Sequence, residues 1–509
     1  MPCTPVRPLA MSRRPAAKVQ RLAAALTAAV LVALGAAGAA HAAPVPTTQS
    51  FLSRPSLHPT AITFTKKETK SGMGYIFTAP KSMAGTPLAS TGVMIVDGAG
   101  NLVWFKHVGG VGAYNFRKQT YEGKPVLTWW HGIHYRGFGS GDVEIYNTSY
   151  HHVATVSAGN GYKADFHEFF ITPQNTALLT AYRDIDHYDL SKKVPGGTKN
   201  DKITDNVLQE VDIKTGKVLL EWHTKDTIAP SESYAPNSNK YGVPYDWVHL
   251  NSAGLDSDGN IIASARGTHA FYRINRKTGK LMERIGGKKS DYKMGPGAQT
   301  AFQHDVQRIN DKQITAFDNN ADVPTLPIAD HQARGVILNI DEKKKTVKLA
   351  RQIQHPGFPI QSVSMGNMQT LANGNVFFGW GGQVSYFSEV DKTGKAVIEG
   401  QYATPRVDSY RAYRQTWTAN PTDRPAAVAT RTGGKVQVAV SWNGATHVHS
   451  WRVLAGTSTT KLATVTTVPR KGFETKITIT TSHPLLRVLA LDAGGKLIGT
   501  TRPVKVAAR

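Results

Sequence analysis

Three histidines recur at comparable places in the chain, each at the open end of a predicted β-hairpin. The hairpins span residues 165–183, 247–266 and 303–318. Folded about its turn, each places a histidine opposite a charged residue: His167 opposite Arg183, His249 opposite Arg266, and His304 opposite Asp318. Opposed residues have β-carbons about 5 Å apart, so contact within each pair is expected. Imidazoles beside guanidinium groups suit an anion with several oxygens, and the rings are available for nucleophilic or acid–base chemistry.

These histidines have two other interpretations. A histidine at a strand end often has only a structural role, and that is the simpler interpretation for any one of the three. Three histidines can also bind a metal ion such as zinc. Arg183 and Arg266 argue against a metal, because a guanidinium beside a dication is unfavourable whereas one beside an oxyanion is favourable. We therefore expect a shared anion site with no metal and no cofactor.

The elements that must position these histidines are strands. Short apolar runs alternate with Asp/Gly/Lys turns such as residues 96–104, and helical spacing is nearly absent. His304 follows His249 by 55 residues, and the comparable Met365 follows His304 by 61. A period just above 50 residues with about four strands in each unit is typical of propeller blades. The pattern predicts an all-β chain with a six-bladed β-propeller over residues 80–420; a stack of β-sandwiches is the alternative.

A second domain is predicted after a Pro-rich boundary near residues 420–425. Shorter alternating strands over residues 425–509 indicate a small immunoglobulin- or fibronectin-like β-sandwich, with Trp442 and Trp451 in its core. Residues 43–79, ahead of the propeller, are predicted to be a lead segment.

The first 42 residues resemble a secretory signal peptide. Basic residues precede an apolar run over residues 22–40, and Ala40-His41-Ala42 provides an A-x-A cleavage site. The pair Arg13-Arg14 suggests the twin-arginine route. No later stretch is apolar enough to span a bilayer, so secretion without a membrane span is expected.

The cysteine content and the net charge exclude some kinds of active site and some kinds of partner. The only cysteine, Cys3, lies in the leader, which excludes a thiol nucleophile, a disulfide and cysteine-ligated zinc from the mature chain. The formal charge of +24 falls to +19 when the five leader cations are removed. A positive field favours anionic partners, but Lys and Arg are scattered rather than clustered, so nucleic acid is not an expected partner. The sequence does not determine the oligomeric state.

The motifs around the histidines form an ordered set. It comprises D-F-H-E-F, D-W-V-H-L-N-S followed by A-S-A-R, F-Q-H-D, F-D-N-N, G-N-M-Q-T-L-A-N-G-N-V-F-F-G-W-G and S-Y-R-A-Y-R. From about residue 90 to 415 the chain thereby resembles the bacterial arylsulfotransferase (arylsulfate sulfotransferase) family. The resemblance implies a six-bladed propeller. It also implies sulfuryl transfer from an aryl sulfate ester to a phenol, without a nucleotide sulfate donor and through a covalent sulfohistidine.

The resemblance also implies roles for individual residues. The nucleophile of the Q-H motif falls on His304, and the H-x-N motif places a sulfate-contacting histidine at His249 with Asn251 as its polar companion. The family's arginine falls on Arg266 and its earlier histidine on His167. Arg334 occupies a recurrent family position and is counted with Arg183 and Asn251 among the expected substrate-binding residues.

The expected mechanism uses His304 as the attacking group, oriented by Asp318 across its hairpin. One of His167 and His249 protonates the departing phenolate. Three rival functions stay open at this point: a metal-dependent propeller lyase or hydrolase, a non-catalytic cell-wall or carbohydrate binder, and a quinone-dependent propeller dehydrogenase.

Overall fold

The computed structural model describes residues 47–67, 73–83, 91–321, 332–403 and 406–508. The predicted leader, residues 1–42, lies outside these ranges. Residues from Pro46 onward belong to one compact unit. Within the described ranges the regular elements are strands, apart from short 3-10 turns at Thr224–Asp226, Pro230–Glu232 and Ser238–Tyr241. No helix in that part of the chain is long and apolar enough to cross a membrane.

Six sheets, antiparallel except for the parallel pairing of β18 with β22, form the blades of a β-propeller, which confirms the predicted fold class. The strands of its first half are β1 (Ile62–Lys66), β2 (Tyr75–Thr78), β3 (Lys81–Ser82), β4 (Gly92–Val96), β5 (Leu102–His107), β6 (Tyr114–Tyr121), β7 (Lys124–Tyr135), β8 (Phe138–Tyr146), β9 (His152–Val156), β10 (Phe169–Ile171), β11 (Thr176–Tyr188), β12 (Asp201–Asp212) and β13 (Val218–His223). Those of its second half are β14 (Leu250–Leu255), β15 (Ile261–Ala265), β16 (Ala270–Ile274), β17 (Leu281–Gly286), β18 (Lys293–Met294), β19 (His304–Asn310), β20 (Gln313–Asp318), β21 (Arg334–Asp341), β22 (Thr346–Ile353), β23 (Asn367–Thr370), β24 (Val376–Gly379), β25 (Tyr386–Val390), β26 (Ala396–Tyr402), β27 (Val407–Asp408) and β28 (Ala412–Gln415).

Each blade runs outward from an inner strand next to the propeller axis. Written from inside to outside, the blades are β28-β2-β4-β5, β6-β7-β8-β9, β10-β11-β12-β13, β14-β15-β16-β17, β19-β20-β21-β22-β18 and β23-β24-β25-β26-β1. β3 and β27 form a separate two-stranded sheet. The inner strands β28, β6, β10, β14, β19 and β23 contact one another in that order around the axis.

The two ends of the propeller chain close the ring. β1 adds an outer strand to the sixth blade, and β28 supplies the inner strand of the first blade. β1 and β2 both fall within residues 43–79, so the propeller begins inside the segment that the sequence predicted to be a lead. Local patterns do not show this, because β1 pairs with β26 and β2 pairs with β28 as well as with nearby β4, and both β26 and β28 lie more than 300 residues away. The other predicted domain boundaries stay predictions.

The core of the propeller consists of six apolar clusters, one between each pair of adjacent blades. Successive residues of a strand point to opposite faces, so one strand serves two clusters. In β11, Leu178 packs toward the fourth blade and Leu179 toward the second. This explains why strands such as β4 are apolar at every position rather than at alternate ones.

The chain ends in a β-sandwich. Its strands are β29 (Ala426–Thr432), β30 (Lys435–Ser441), β31 (Ser450–Ser458), β32 (Lys461–Pro469), β33 (Glu474–Thr480), β34 (Leu485–Leu491), β35 (Leu497–Thr500) and β36 (Val504–Ala508). β36 pairs with β29 at one end and with β34 at the other, and so joins the two layers. Trp442 and Trp451 are buried in the shared core, as predicted.

Candidate functional site

The starts of the six inner strands meet at one mouth of the propeller. Each blade contributes at least one residue at or just before its inner strand, and these residues line a cavity of about 280 Å³. In the order of the strands from β6 to β28 they are Tyr114, His167, His249, His304, Met365 and Asp408. The convergence has a simple cause, because inner strands that run in the same direction around one axis must begin at the same end.

The three predicted histidines and one arginine lie together in this cavity, and a fourth histidine, His134, also lines it. The rings of His167 and His249 meet edge to face with centroids 4.9 Å apart. Arg266 lines the same cavity, and its main-chain N–H donates to the carbonyl of His249 over 2.9 Å. This is the pairing of His249 with Arg266 that the sequence predicts. The guanidinium lies 4.5 Å from the centre of the Phe302 ring and donates to the carbonyl of Val363.

Carboxylates orient two of the histidines. The Nδ1 atom of His167 lies 2.6 Å from Asp165, and that of His249 lies 2.6 Å from Asp246. Each aspartate also accepts the main-chain N–H of its own histidine. An ionised carboxylate only accepts hydrogen bonds, so Nδ1 carries the hydrogen in both rings and Nε2 is left for a ligand. Burial alone would raise the pKa of Asp246, but His249 and Asn206 more than offset it and lower that pKa.

Asn319 determines the tautomer of His304. Its amide nitrogen donates to the carbonyls of Ser362 and Met365, so its oxygen must face Nδ1 of His304, 2.7 Å away. An amide oxygen is only an acceptor, and His304 therefore carries its hydrogen on Nδ1. The lone pair is left on Nε2, where it accepts the main-chain N–H of Met365 over 3.2 Å.

The backbone beside His304 has an uncommon shape. Met365 has φ of 61° and Gly366 has φ of 95°. A β-carbon on Gly366 would lie 2.4 Å from the ring of Phe317, so only glycine fits there. This turn directs the N–H of Met365 at Nε2.

Two of the histidines that line the cavity, His304 and His167, are held in the neutral form. Burial, and next the positive charge of Arg266, lower the pKa of His304 well below its usual value. Burial also lowers the pKa of His167, and Asp165 offsets this only in part. His304 is 1% exposed and His167 2% exposed, so both rings lack the water that would stabilise a charge.

A lysine–aspartate pair and an aromatic wall also line the cavity. Lys81 and Asp408, on the small β3–β27 sheet, are buried and lie 2.5 Å apart. The ammonium of Lys81 lies 5.1 Å from the centre of the Tyr114 ring, which stacks on Phe166 at 4.5 Å. The cavity therefore combines cations with flat apolar surfaces.

The profile of the family described as Arylsulfotransferase (ASST) matches residues 117–403, more than half of the chain and the whole span of the three histidines. The chain belongs to this arylsulfotransferase family. Membership supports sulfotransferase activity on aryl substrates in general. No curated protein matches the sequence significantly.

Solved structures show similarity at low sequence identity. A Bacteroides caccae protein of unknown function is 11% identical, with a TM-score of 0.39 over 67% of this chain and 100% of that one. The periplasmic gluconolactonase PpgL of Pseudomonas aeruginosa is 12% identical, with a TM-score of 0.34 over 85% of this chain and 96% of that one. Virginiamycin B lyase of Staphylococcus aureus is 10% identical, with a TM-score of 0.29 over 74% and 92%.

Arg183, one of the expected substrate-binding residues, lies outside the cavity. Its guanidinium stacks on Tyr162 at 3.8 Å and donates to the carbonyl of Gly161. The predicted pairing with His167 is wrong, because β10 begins only at Phe169 and Arg183 pairs with Asp205 on β12.

Asp318 and Arg334 also have other roles than those predicted. A bulge after His304 shifts the register, so His304 pairs with Phe317 and Asp318 pairs with Arg334. A shift of one residue turns a side chain to the other face of a sheet. The carboxylate of Asp318 binds Arg334 over 2.8 Å, and Asn319 takes the orienting role instead.

Asn251 lies beneath the cavity rather than in its wall. It is fully buried, and its amide nitrogen donates to the carbonyl of Gln303 over 2.7 Å. The residue thus ties β14 to the segment that leads into His304. The structure brings together His167, His249, Arg266 and His304, and it places Asn251, Arg183 and Arg334 elsewhere.

Several residues in or beside the cavity were missed in the sequence, His134 among them. Asp165 and Asp246 had a usable signal, since each lies two or three residues before a histidine in D-F-H and D-W-V-H. Lys81 and Asp408 had none, because 327 residues separate them. As for metals, no three His, Cys, Asp or Glu side chains across the described ranges are grouped to hold an ion.

Proposed function

We propose that the protein transfers a sulfuryl group from an aryl sulfate ester to a phenolic acceptor through a covalent intermediate on His304, without a nucleotide sulfate donor. The observation that carries the proposal is the state of His304. Its ring is buried and neutral, and its Nε2 lone pair lies in a cavity that also holds Arg266.

Charge explains why a neutral imidazole suits this reaction. A sulfate monoester carries one negative charge spread over its terminal oxygens, so it repels an anionic nucleophile. A neutral ring is not repelled, and Arg266 attracts the same anion. Burial keeps the ring of His304 unprotonated, so at neutral pH its Nε2 lone pair carries no proton and accepts only the hydrogen bond from Met365, which the sulfur atom would replace.

In the first step, Nε2 of His304 attacks sulfur in line with the bond to the phenolic oxygen. The N–S bond forms as the S–O bond breaks, and the electron pair goes to the phenolic oxygen. We assign its protonation to His249, which in this proposal starts the cycle with a proton on Nε2 as well as on Nδ1. Asp246 holds that ring and supports its positive charge, and the ring lines the cavity. His167 is the weaker choice, since burial lowers its pKa and disfavours the charged form.

In the second step, an acceptor phenol takes the group from sulfo-His304. The phenol gives its proton to His249, its oxygen bonds to sulfur, and the N–S bond breaks with the electron pair returning to Nε2. His249 is thereby protonated again for the next cycle. Asn319 supports the positive charge that the His304 ring carries in the intermediate, through the hydrogen bond from Nδ1.

The size of the cavity supports successive rather than simultaneous binding. A sphere of 280 Å³ is about 8 Å across, which is enough for one aryl sulfate but not for donor and acceptor side by side. The stacked rings of Tyr114 and Phe166 provide a flat wall for an aryl group. Alternating release and entry of phenols predicts ping-pong kinetics.

The test uses 4-nitrophenyl sulfate as the donor and phenol as the acceptor. His304→Asn should abolish both steady nitrophenol release and the acid-labile sulfo-protein. His107→Asn is the matched control, because His107 is an exposed histidine at the end of β5. Normal turnover in His304→Asn would remove His304 from the role of nucleophile. Release of free sulfate without phenyl sulfate would show a hydrolase instead.

We also propose that the protein is exported after removal of residues 1–42. The basic start, the apolar run and the A-x-A site support this. Amino-terminal sequencing of the protein from culture supernatant or periplasm should begin at residue 43. An uncleaved amino terminus would contradict the proposal.

A further inference from the structure

Beneath the histidines, the propeller axis is occupied by a fully buried arginine. Arg411 lies just before β28, in the S-Y-R-A-Y-R motif, and is 0% exposed. Its guanidinium donates to Glu168 over 3.1 Å and to the carbonyl of Asn251 over 3.1 Å, and it lies 3.4 Å from the carboxylate of Asp305.

Each of these partners lies next to a cavity histidine in the chain. Glu168 follows His167, and Asp305 follows His304. Asn251 lies two residues after His249. One guanidinium therefore contacts all three blades that carry the histidines. Tyr410 adds to this arrangement from the same turn, with its hydroxyl donating to the carbonyl of His167 over 3.2 Å.

The surrounding charges balance. Arg117 binds Glu168 over 2.6 Å, so two guanidinium groups face the two carboxylates of Glu168 and Asp305. All four side chains are buried, and Arg411 and Arg117 keep the pKa of Glu168 lowered although burial by itself would raise it. A buried charge that loses its partner is strongly unfavourable, so this cluster has little freedom to rearrange.

We propose that Arg411 is a positioning residue that holds the β10, β14 and β19 segments at fixed separation, and so keeps His304, His249 and His167 aligned on one sulfuryl group. The planar fork of arginine suits this task, because it binds several acceptors in fixed directions. The inference rests on the proposed transfer through His304. Arg411 itself lies below the histidines, outside the residues that line the cavity.

The experiment compares Arg411→Met and Arg411→Lys in the full chain, with the first-turnover release of nitrophenol from 4-nitrophenyl sulfate as the readout. Misplacement of reacting groups by about 1 Å costs on the order of 100-fold in rate. Arg411→Met should therefore slow the first turnover about 100-fold, with KM for the donor changed less than about threefold because Arg266 is intact. Arg411→Lys should recover part of the rate, since it restores the charge but not the fork.

Arg273→Met is the matched control. Arg273 lies on β16 and is another buried arginine, which pairs with Asp256 and Glu283. Its loss should lower the melting temperature and leave the first turnover unchanged. If Arg411→Met does not fold, Glu168→Gln and Asp305→Asn carry the test, because each weakens one link without changing side-chain shape.

Three results are distinguishable. The inference is supported if the wild-type protein transfers the sulfuryl group and the first turnover is slowed in the Arg411 variants, or in both Glu168→Gln and Asp305→Asn. The inference is overturned, while the proposed function stands, if the wild-type protein transfers the sulfuryl group and all these variants are as fast as Arg273→Met. Wild-type protein without transfer through His304 overturns both.

Discussion

Replacing Asn319 by aspartate tests the charge and tautomer of His304 directly. In the structure, an amide oxygen lies 2.7 Å from Nδ1 of His304, and burial together with Arg266 keeps the pKa of this ring well below its usual value. Asn319→Asp keeps the shape of the contact but adds a negative charge at it. An adjacent opposite charge favours the protonated ring, so the pKa of His304 rises.

The size of the effect follows from the contact. Adjacent opposite charges shift a pKa by about 1–3 units, so the acid side of the activity profile should move up by a similar number of pH units. Each unit by which the pKa exceeds the assay pH lowers the unprotonated fraction about tenfold. Asn319→Ala instead removes a hydrogen bond that becomes charge-assisted, and worth about 1.5–3 kcal/mol, when the His304 ring turns cationic during transfer; its loss corresponds to a roughly 10- to 150-fold slower reaction.

The assay is kcat/KM for 4-nitrophenyl sulfate between about pH 5 and 9. In wild-type protein, protonation of His304 should not reduce the rate until the pH is well below 6.5, because its pKa is lowered. As the pH is lowered, Asn319→Asp should lose activity at a higher pH than the wild-type protein does, and its activity should return when the pH is raised. Asn373→Asp, in an exposed turn before β24, is the control for an added carboxylate. An Asn319→Asp profile that coincides with wild type would refute the neutral, Nδ1-protonated state of His304.

Two further predictions concern the histidines. Asp246→Asn removes the carboxylate that holds His249. We expect a greater loss of rate with phenyl sulfate than with 4-nitrophenyl sulfate, because phenolate is the poorer leaving group and needs protonation more. Equal losses of rate with the two donors would exclude His249 as the acid. Acidification should lower the free energy of unfolding, because buried His167, His304 and His269 have lowered pKa values, about 3 for His269, and take up protons only on unfolding. This stability is present above pH 6.5 and is lost as the pH falls below it, which urea titrations at a series of pH values would show; constant stability from pH 7 to 5 would contradict it.

The sequence was most informative where a pattern repeats. The spacing of His249, His304 and Met365 reflects a blade repeat, and each copy starts an inner strand at the same end of the axis. Because the blades are related by pseudo-symmetry, equivalent positions meet at one mouth of the propeller, and this can be predicted without knowing the side-chain contacts. The pairing of His249 with Arg266 was also predicted, although the hairpin between them shifts register between Leu250 and Ser252.

The sequence was least informative where strand pairing is irregular. The bulge after His304 moves Asp318 away from the ring and makes room for Asn319, although both residues are adjacent in the chain. A shift of a single residue reverses the face of a strand, so residue counting alone selected the wrong partner. The same limit applied to Arg183, which lies beyond the pairing of β10.

By itself, the sequence determined that the chain is an all-β propeller with a terminal sandwich, because apolar periodicity and turn chemistry are local properties that survive without coordinates. It also determined which histidines recur together. Only the tertiary structure decided their partners: Asn319 and Met365 at His304, Lys81 and Asp408 across the cavity, and Arg411 beneath it. Those contacts depend on bulges and on closure of the ring between distant ends of the chain, and neither leaves a local pattern in the sequence.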